Sequence, residues 1–361
     1  MKTFVARLVL ATFLLALGLF GSSFPVNAAI SSSPTLELDA SNPSSLATSG
    51  ATSWRDLVSG GTVAATLTGN AAYSSAGGGS LEVSGVSSYG GASFPASAVG
   101  TVTNPSGDMS LMMWVRFSSW NAEWNLLASH WFTNAGGSEA QNWHFASRIS
   151  GGNRYLNLYT TNKTNMFGST ALALNTWYQV GFTLTTAGSL QFYINGVADG
   201  AVITGATRTA NTSSQLWISD ARSNCVACSI NGNISRFRMW NSKLDSATVL
   251  NDFNVERENF GYAPFVTSAS FSLASNSPVY RVLNTITATV PLNSRVTFYE
   301  NTKIIPGCKR VVPTSTTAIC RWKPATHGAI NIRVSYTTSG SATVNWAPSA
   351  NFFGNKRTTT R

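Results

Sequence analysis

Charge is what this chain has least of. Only 11% of its 361 residues are Asp, Glu, Lys or Arg. The Ala/Glu/Lys/Leu bias of helical proteins is missing with it, which argues against a mainly helical fold. Histidine is nearly absent. His130, His144 and His327 are scattered, and none falls in a metal-binding or Ser-His-Asp pattern. Acids run out altogether towards the C-terminus, where residues 262–361 contain Glu300 and no other. Cysteine occurs four times. Cys225-x-x-Cys228 lacks the strand–helix context of a thioredoxin-like redox site, and Cys308 and Cys320 stand too far apart to complete a four-cysteine zinc site. No recognisable nucleic-acid-binding motif is present. After Phe20 no apolar run is long enough to span a bilayer.

What is abundant is Ser, Thr, Gly and Asn, the composition of many strands joined by turns. Trp177–Phe182, Leu190–Ile194 and Gly232–Trp240 alternate apolar with polar residues, the period of a half-buried antiparallel strand. Asn195-Gly196 between apolar runs predicts a type I′ hairpin turn, which needs positive φ at both central residues. Leu244–Val249 predicts a short helical turn, with helix limited to places such as Ser242–Phe253. Trp114, Phe182, Phe192 and Trp217 are assigned to the core.

The first 28 residues read as a leader rather than as structure. Lys2 and Arg7 precede an apolar stretch, Leu8–Phe20, and Val26-Asn27-Ala28 is a small-x-small cleavage site. Cleavage after Ala28 and a secreted or cell-surface location are expected. About 330 mature residues exceed one domain by the usual size. Charge divides them. Residues 29–261 hold eleven bases and thirteen acids, a net of −2, whereas residues 262–361 hold eleven bases and one acid, a net of +10. The boundary falls near Tyr262-Ala263-Pro264.

The first region resembles laminin-G-like domains of the concanavalin-A-like jelly-roll superfamily. The likeness rests on Leu38-Asp39-Ala40-Ser41-Asn42, Trp54-Arg55-Asp56-Leu57, Gly79-Ser80-Leu81-Glu82-Val83-Ser84-Gly85 and the strands named above, closing with Phe253-Asn254 and Phe260-Gly261. It covers residues 34–261. Val83-Ser84-Gly85 stands where that family usually has Phe-Asp-Gly, so an acid is missing there. Residues 264–347 are similar to bacterial Ig-like repeats, through Val296–Tyr299, Ile305-Pro306-Gly307-Cys308 and Cys320-Arg321-Trp322-Lys323-Pro324. Strands are expected at Leu283–Val290, Arg295–Tyr299, Thr317–Trp322 and Ala329–Thr337. The expected protein is therefore all-β. An antiparallel jelly-roll sandwich spans 29–261, a smaller Ig-like sandwich spans 262–347, and a basic tail spans 348–361. Four cysteines allow three pairings. Domain membership favours Cys308–Cys320 and Cys225–Cys228, and the Ig-like repeats commonly pair the two positions of the former.

The resemblance implies a module that binds glycans or proteins outside cells. Some jelly-roll hydrolases present Glu-x-Asp-x-x-Glu on one strand; here Glu37-Leu38-Asp39 is followed by Asn42 at the third position. No pair of carboxylates at hydrolytic spacing announces itself. The chain is accordingly read as non-enzymatic, with a structural spacer or assembly subunit as the alternative and a glycoside hydrolase third. The segment 118–147 is rich in rings, among them Trp120, Trp124, Trp131, Trp143 and His144, interleaved with Asn121 and Glu123. Rings stack on sugar C–H faces while polar groups bond hydroxyls, so these residues are the candidate ligand site; alternate strand positions such as Trp143 serve equally well as core. Calcium is a family-level expectation, with Asp39, Asp56, Asp108 and Asp220 as oxygen ligands or as solvated turn residues. The basic C-terminal region suits anionic wall polymers or membrane-surface head groups.

Overall fold

A computed structural model of the chain describes residues 30, 33–84, 90–98, 107–121, 123–133, 139–209, 214–219, 228–262, 269–275, 277–291, 294–314, 316–326, 328–338, 345–347 and 349–354. The leader and residues 263–268 lie outside the described residues, as do Asp220, Cys225 and His327.

In chain order the strands of the first region are β1 (Leu36–Asp39), β2 (Ser53–Arg55), β3 (Ala64–Gly69), β4 (Ala72–Ser74), β5 (Ser80–Ser84), β6 (Gly90–Phe94), β7 (Met109–Ser119), β8 (Trp124–Thr133), β9 (Glu139–Ser150), β10 (Asn153–Thr160), β11 (Lys163–Phe167), β12 (Trp177–Leu184), β13 (Leu190–Ile194), β14 (Val197–Ala198), β15 (Leu216–Ile218) and β16 (Asn231–Trp240). They form two antiparallel eight-stranded sheets. The back sheet runs β14-β13-β12-β7-β16-β5-β4, with β1 also on β16. The front sheet runs β11-β10-β9-β8-β15-β6-β3-β2. Between them lies one core that includes Leu36, Trp54, Leu111, Phe117, Trp143, Phe145, Phe182 and Phe237.

The predicted hairpin is present. Asn195 and Gly196 have φ of 53° and 78°, and Ile194 pairs with Val197 across them. Helix is more extensive than a turn: α1 (Ser246–Glu256) has 11 residues and is capped by the Asp245 side chain, which accepts from the Thr248 N–H.

That helix explains a second departure from expectation. β16 alternates as predicted, but its polar face is not solvated. Arg236 and Arg238 are buried beneath α1, where Glu256 Oε1 accepts from Arg238 Nη1 at 2.7 Å and lies 3.4 Å from Arg236 Nη1. Glu37 accepts from Arg238 Nε at 2.7 Å, and Trp114 Nε1 donates to Glu256 Oε2 at 2.6 Å. Burial works against the charge on Arg238, yet Glu256 and Glu37 together hold its pKa above the ordinary arginine value. Trp114, Phe253 and Phe260 pack into the same layer. The run Met109–Val115 is apolar almost throughout because both of its faces are covered, one by the core and the other by α1.

The remaining strands are β17 (Ser270–Leu273), β18 (Asn284–Thr289), β19 (Ser294–Glu300), β20 (Lys303–Ile304), β21 (Thr317–Trp322), β22 (Gly328–Thr338), β23 (Asn345–Trp346) and β24 (Ala350–Gly354). They make a three-stranded sheet, β17-β18-β21, and a five-stranded one around β19 and β22. A separate core contains Ile286, Val296, Phe298, Trp322, Ile330 and Val334. The Cys308–Cys320 bond is formed, with Cα atoms 5.5 Å apart. Cys228 is also disulfide-bonded, while Cys225 lies outside the described residues. The expected tail from residue 348 is corrected in part, since Ala350–Gly354 pairs with β22 as a strand.

Candidate functional site

The back sheet's outer face lies under α1. The register of the front sheet aligns the side chains of its outer face in three rows, in which Leu126, Ser129, Ala146 and Asn157 are buried. One row is Trp124, Arg148 and Tyr155. The next is Leu126, Ala146, Asn157 and Phe167. The third is Trp217, Ser129, His144 and Tyr159. A bulge at Leu127 in β8 keeps both Leu126 and Ser129 on this face, three residues apart instead of two.

Arg148 organises the face. Its Nε and Nη2 donate to Glu123 Oε1 at 2.8 and 2.6 Å, and its Nη1 donates to Tyr159 Oη at 3.0 Å and to Asn165 Oδ1. The guanidinium lies 4.1 Å from the ring centroid of Trp124 and 5.8 Å from those of Tyr159 and Phe167. His144 and Tyr159 meet Trp124 edge-on, with centroids 5.5 and 4.9 Å away. Burial lowers the His144 pKa to about 4, so the imidazole is neutral at physiological pH and keeps one donor and one acceptor. Glu123 is half exposed, and Trp124, His144, Tyr155, Tyr159 and Trp217 are each partly exposed.

The candidate residues from the sequence separate accordingly. Trp124, His144 and Glu123 are brought together. Trp143 is corrected: it is fully buried in the core, 5.8 Å from Phe182, because it alternates with His144 to the inward face. Trp120 packs on Phe117 at 4.8 Å, with Arg154 5.1 Å from its ring, at the margin of the core and not in the three rows. Asn121 donates to the Ser229 carbonyl at 3.1 Å, a loop-fixing role. The Trp131 side chain lies outside the described residues. Trp217, assigned to the core, is on the outer face, since its neighbours Leu216 and Ile218 take the inward positions. Arg148, Tyr159 and Asn165 carry no local sequence signal. Only the β9–β10 register, and the placement of the segment after it, bring them to Trp124.

The aspartates named for calcium lie apart, each with its own partners. Asp39 accepts from Ser41 and Arg236. Burial would raise its pKa, but Arg236 and Ser41 outweigh that and hold it below the usual value. Asp56 accepts three backbone N–H groups, and Asp108 accepts from Thr186. Among the described residues no three His, Cys, Asp or Glu side chains gather as a metal site; Asp220 lies outside them.

Residues 86–250 match the family model described as the Concanavalin A-like lectin/glucanases superfamily. No curated protein gives a significant match. Solved structures similar to the chain include Trypanosoma rangeli sialidase in complex with sialic acid, at 18% identity and TM-score 0.47, covering 65% of this chain and 35% of that one. The chain thus spans about a third of the sialidase's length. Domain 4 of AbnA, an extracellular GH43 arabinanase from Geobacillus stearothermophilus in complex with arabinotriose, is 16% identical with TM-score 0.43, over 61% of this chain and 97% of that one. The binding domain of Paraclostridial Mosquitocidal Protein 1 is 10% identical with TM-score 0.46, over 89% and 91%. The non-enzymatic reading is corrected by the family match, whose description embraces glucanases as well as lectins. That match falls within the two eight-stranded antiparallel sheets, which form a jelly-roll sandwich similar to that of the concanavalin A-like superfamily.

Proposed function

We propose that the protein recognises glycans on the outer face of the front sheet. The observation that carries this is the cluster of partly exposed Trp124, His144, Tyr159 and Arg148 on the front sheet, ringed by Glu123 and Asn165. Partly exposed rings suit sugar C–H faces, and the carboxylate, amide and guanidinium suit hydroxyls. His144 packs edge-on against Trp124 within this cluster. Export to the cell exterior belongs to the same reading, supported by the leader-like N-terminus and the Cys308–Cys320 bond. The three- and five-stranded sheets round one core support the Ig-like reading of residues 262–347.

One observation favours the spacer reading instead. Arg148 already occupies a face of Trp124, so stacking there requires the guanidinium to shift or to serve as part of the platform. Glycan-array binding with and without calcium tests both readings. Trp124→Ala is expected to abolish the array signal while the fold persists.

A further inference from the structure

The second core's unit has one carboxylate, and the structure hides it. Glu300 is buried, accepting from Trp322 Nε1 at 2.9 Å, the Ala325 N–H at 3.0 Å, and the Thr326 N–H and hydroxyl at 3.2 and 3.0 Å. No acid side chain is left to balance the surface cations. The ion pairs of Glu37, Asp39, Glu123 and Glu256 with Arg148, Arg236 and Arg238 lie in the first region.

Five exposed cations lie near the Cys308–Cys320 bond and the end of β21: Arg281, Lys309, Arg310, Arg321 and Lys323. Arg321 in β21 and Lys323 just after it are exposed, alternating with the buried Cys320 and Trp322. The Arg281 N–H donates to the Pro324 carbonyl at 3.1 Å, which sets Arg281 beside Lys323. The disulfide brings Lys309 and Arg310 alongside. With half-cystine Cα atoms 5.5 Å apart, the Cα atoms of Lys309 and Arg321 are no more than about 13 Å apart. Bare aliphatic side chains are interleaved with these cations. Val282 and Leu283 follow Arg281, Val312 lies two residues after Arg310, and Ile319 shares the outer face of β21 with Arg321; they are 43%, 53%, 66% and 55% exposed.

We infer that this patch docks on an anionic phospholipid membrane. Head-group phosphates complement five cations that have no internal counter-ion, and the interface is the surface that also rewards exposed Val, Leu and Ile. A soluble polyanion would use the cations and leave the aliphatic groups in water, so the mixed patch favours lipid. This is independent of the front-sheet site, more than one hundred residues earlier in the chain.

The test is co-sedimentation of the full chain with phosphatidylcholine vesicles, with and without phosphatidylglycerol. Binding is expected only to the phosphatidylglycerol vesicles and should fall with added salt. Arg321→Gln and Lys323→Gln should each weaken it about fivefold. Ile319→Ser with Val312→Ser should also weaken it, without changing the melting profile or binding to inorganic polyphosphate. Equal binding to both vesicle types would overturn the proposal. So would polyphosphate binding without vesicle binding, or aliphatic variants that bind vesicles like the wild type.

Discussion

Two tryptophans one strand apart should behave in opposite ways. Trp143→Ala removes a fully buried ring from the core and is expected to cost about 3–5 kcal/mol, seen as a large drop in the melting temperature. Trp124→Ala removes a partly exposed ring held by Arg148, His144 and Tyr159. It should cost about 0.5–1.5 kcal/mol for each ring pair broken and leave a cooperative transition. His144 adds a pH dependence. Its folded pKa, about 4, lies below the unfolded value of 6.5, so between these pH values the unfolded chain binds the extra proton. Stability from this group is full above about pH 6.5 and falls as pH drops towards 4, at up to about 1.4 kcal/mol per pH unit. Melts of the wild type and His144→Gln across that window should diverge only if the imidazole titrates in this way. At this scale the sequence was half legible. The aromatic richness around Trp124 marked the right segment, but alternation in a strand gives only the two faces and not which one is outward. That is why Trp143 and Trp217 exchange places relative to expectation.

At the scale of elements, strands and their turn chemistry were readable because period-2 patterning and Asn195-Gly196 act locally. Gly196→Ala should be destabilising on two counts. Its φ of 78° disfavours a side chain, and a Cβ there would sit 2.9 Å from the Phe253 Cβ. The loss should register as a lower denaturant midpoint with an unchanged slope. What escaped was the role of α1. Helical patterning in residues 246–256 is weak, because the helix buries Val249 and Phe253 together with the polar Asp252, Asn254 and Glu256. Glu256 is the strongest test. Glu256→Ala would strand Arg236 and Arg238 beneath the helix without their shared carboxylate and is expected to cost about 3–5 kcal/mol. A change below about 1 kcal/mol in chemical unfolding would show that the ion-pair layer is dispensable.

Over the whole molecule there are two separate cores, each with its own pair of sheets. The two regions treat charge in opposite ways. One internalises cations in the pairs under α1, and the other internalises its single acid and displays the cations. The Cys308–Cys320 bond closes a short loop with a separation of 12 residues. Its reduction should lower the stability of the second unit by about 3 kcal/mol, in a melt that leaves the jelly-roll transition in place. Sequence patterning placed the strands but could not show that α1 packs on one sheet, while the Trp124–Arg148 cluster forms on the other. The most direct measurement is a glycan array on the full chain beside its Trp124→Ala variant, both verified as folded by melting. Binding of a defined glycan class by the wild type, lost in the variant with a melting temperature within a few degrees of wild type, is the predicted result. A wild type that binds no glycan, or a variant that binds as well as the wild type, would contradict the assignment of this face as the recognition site.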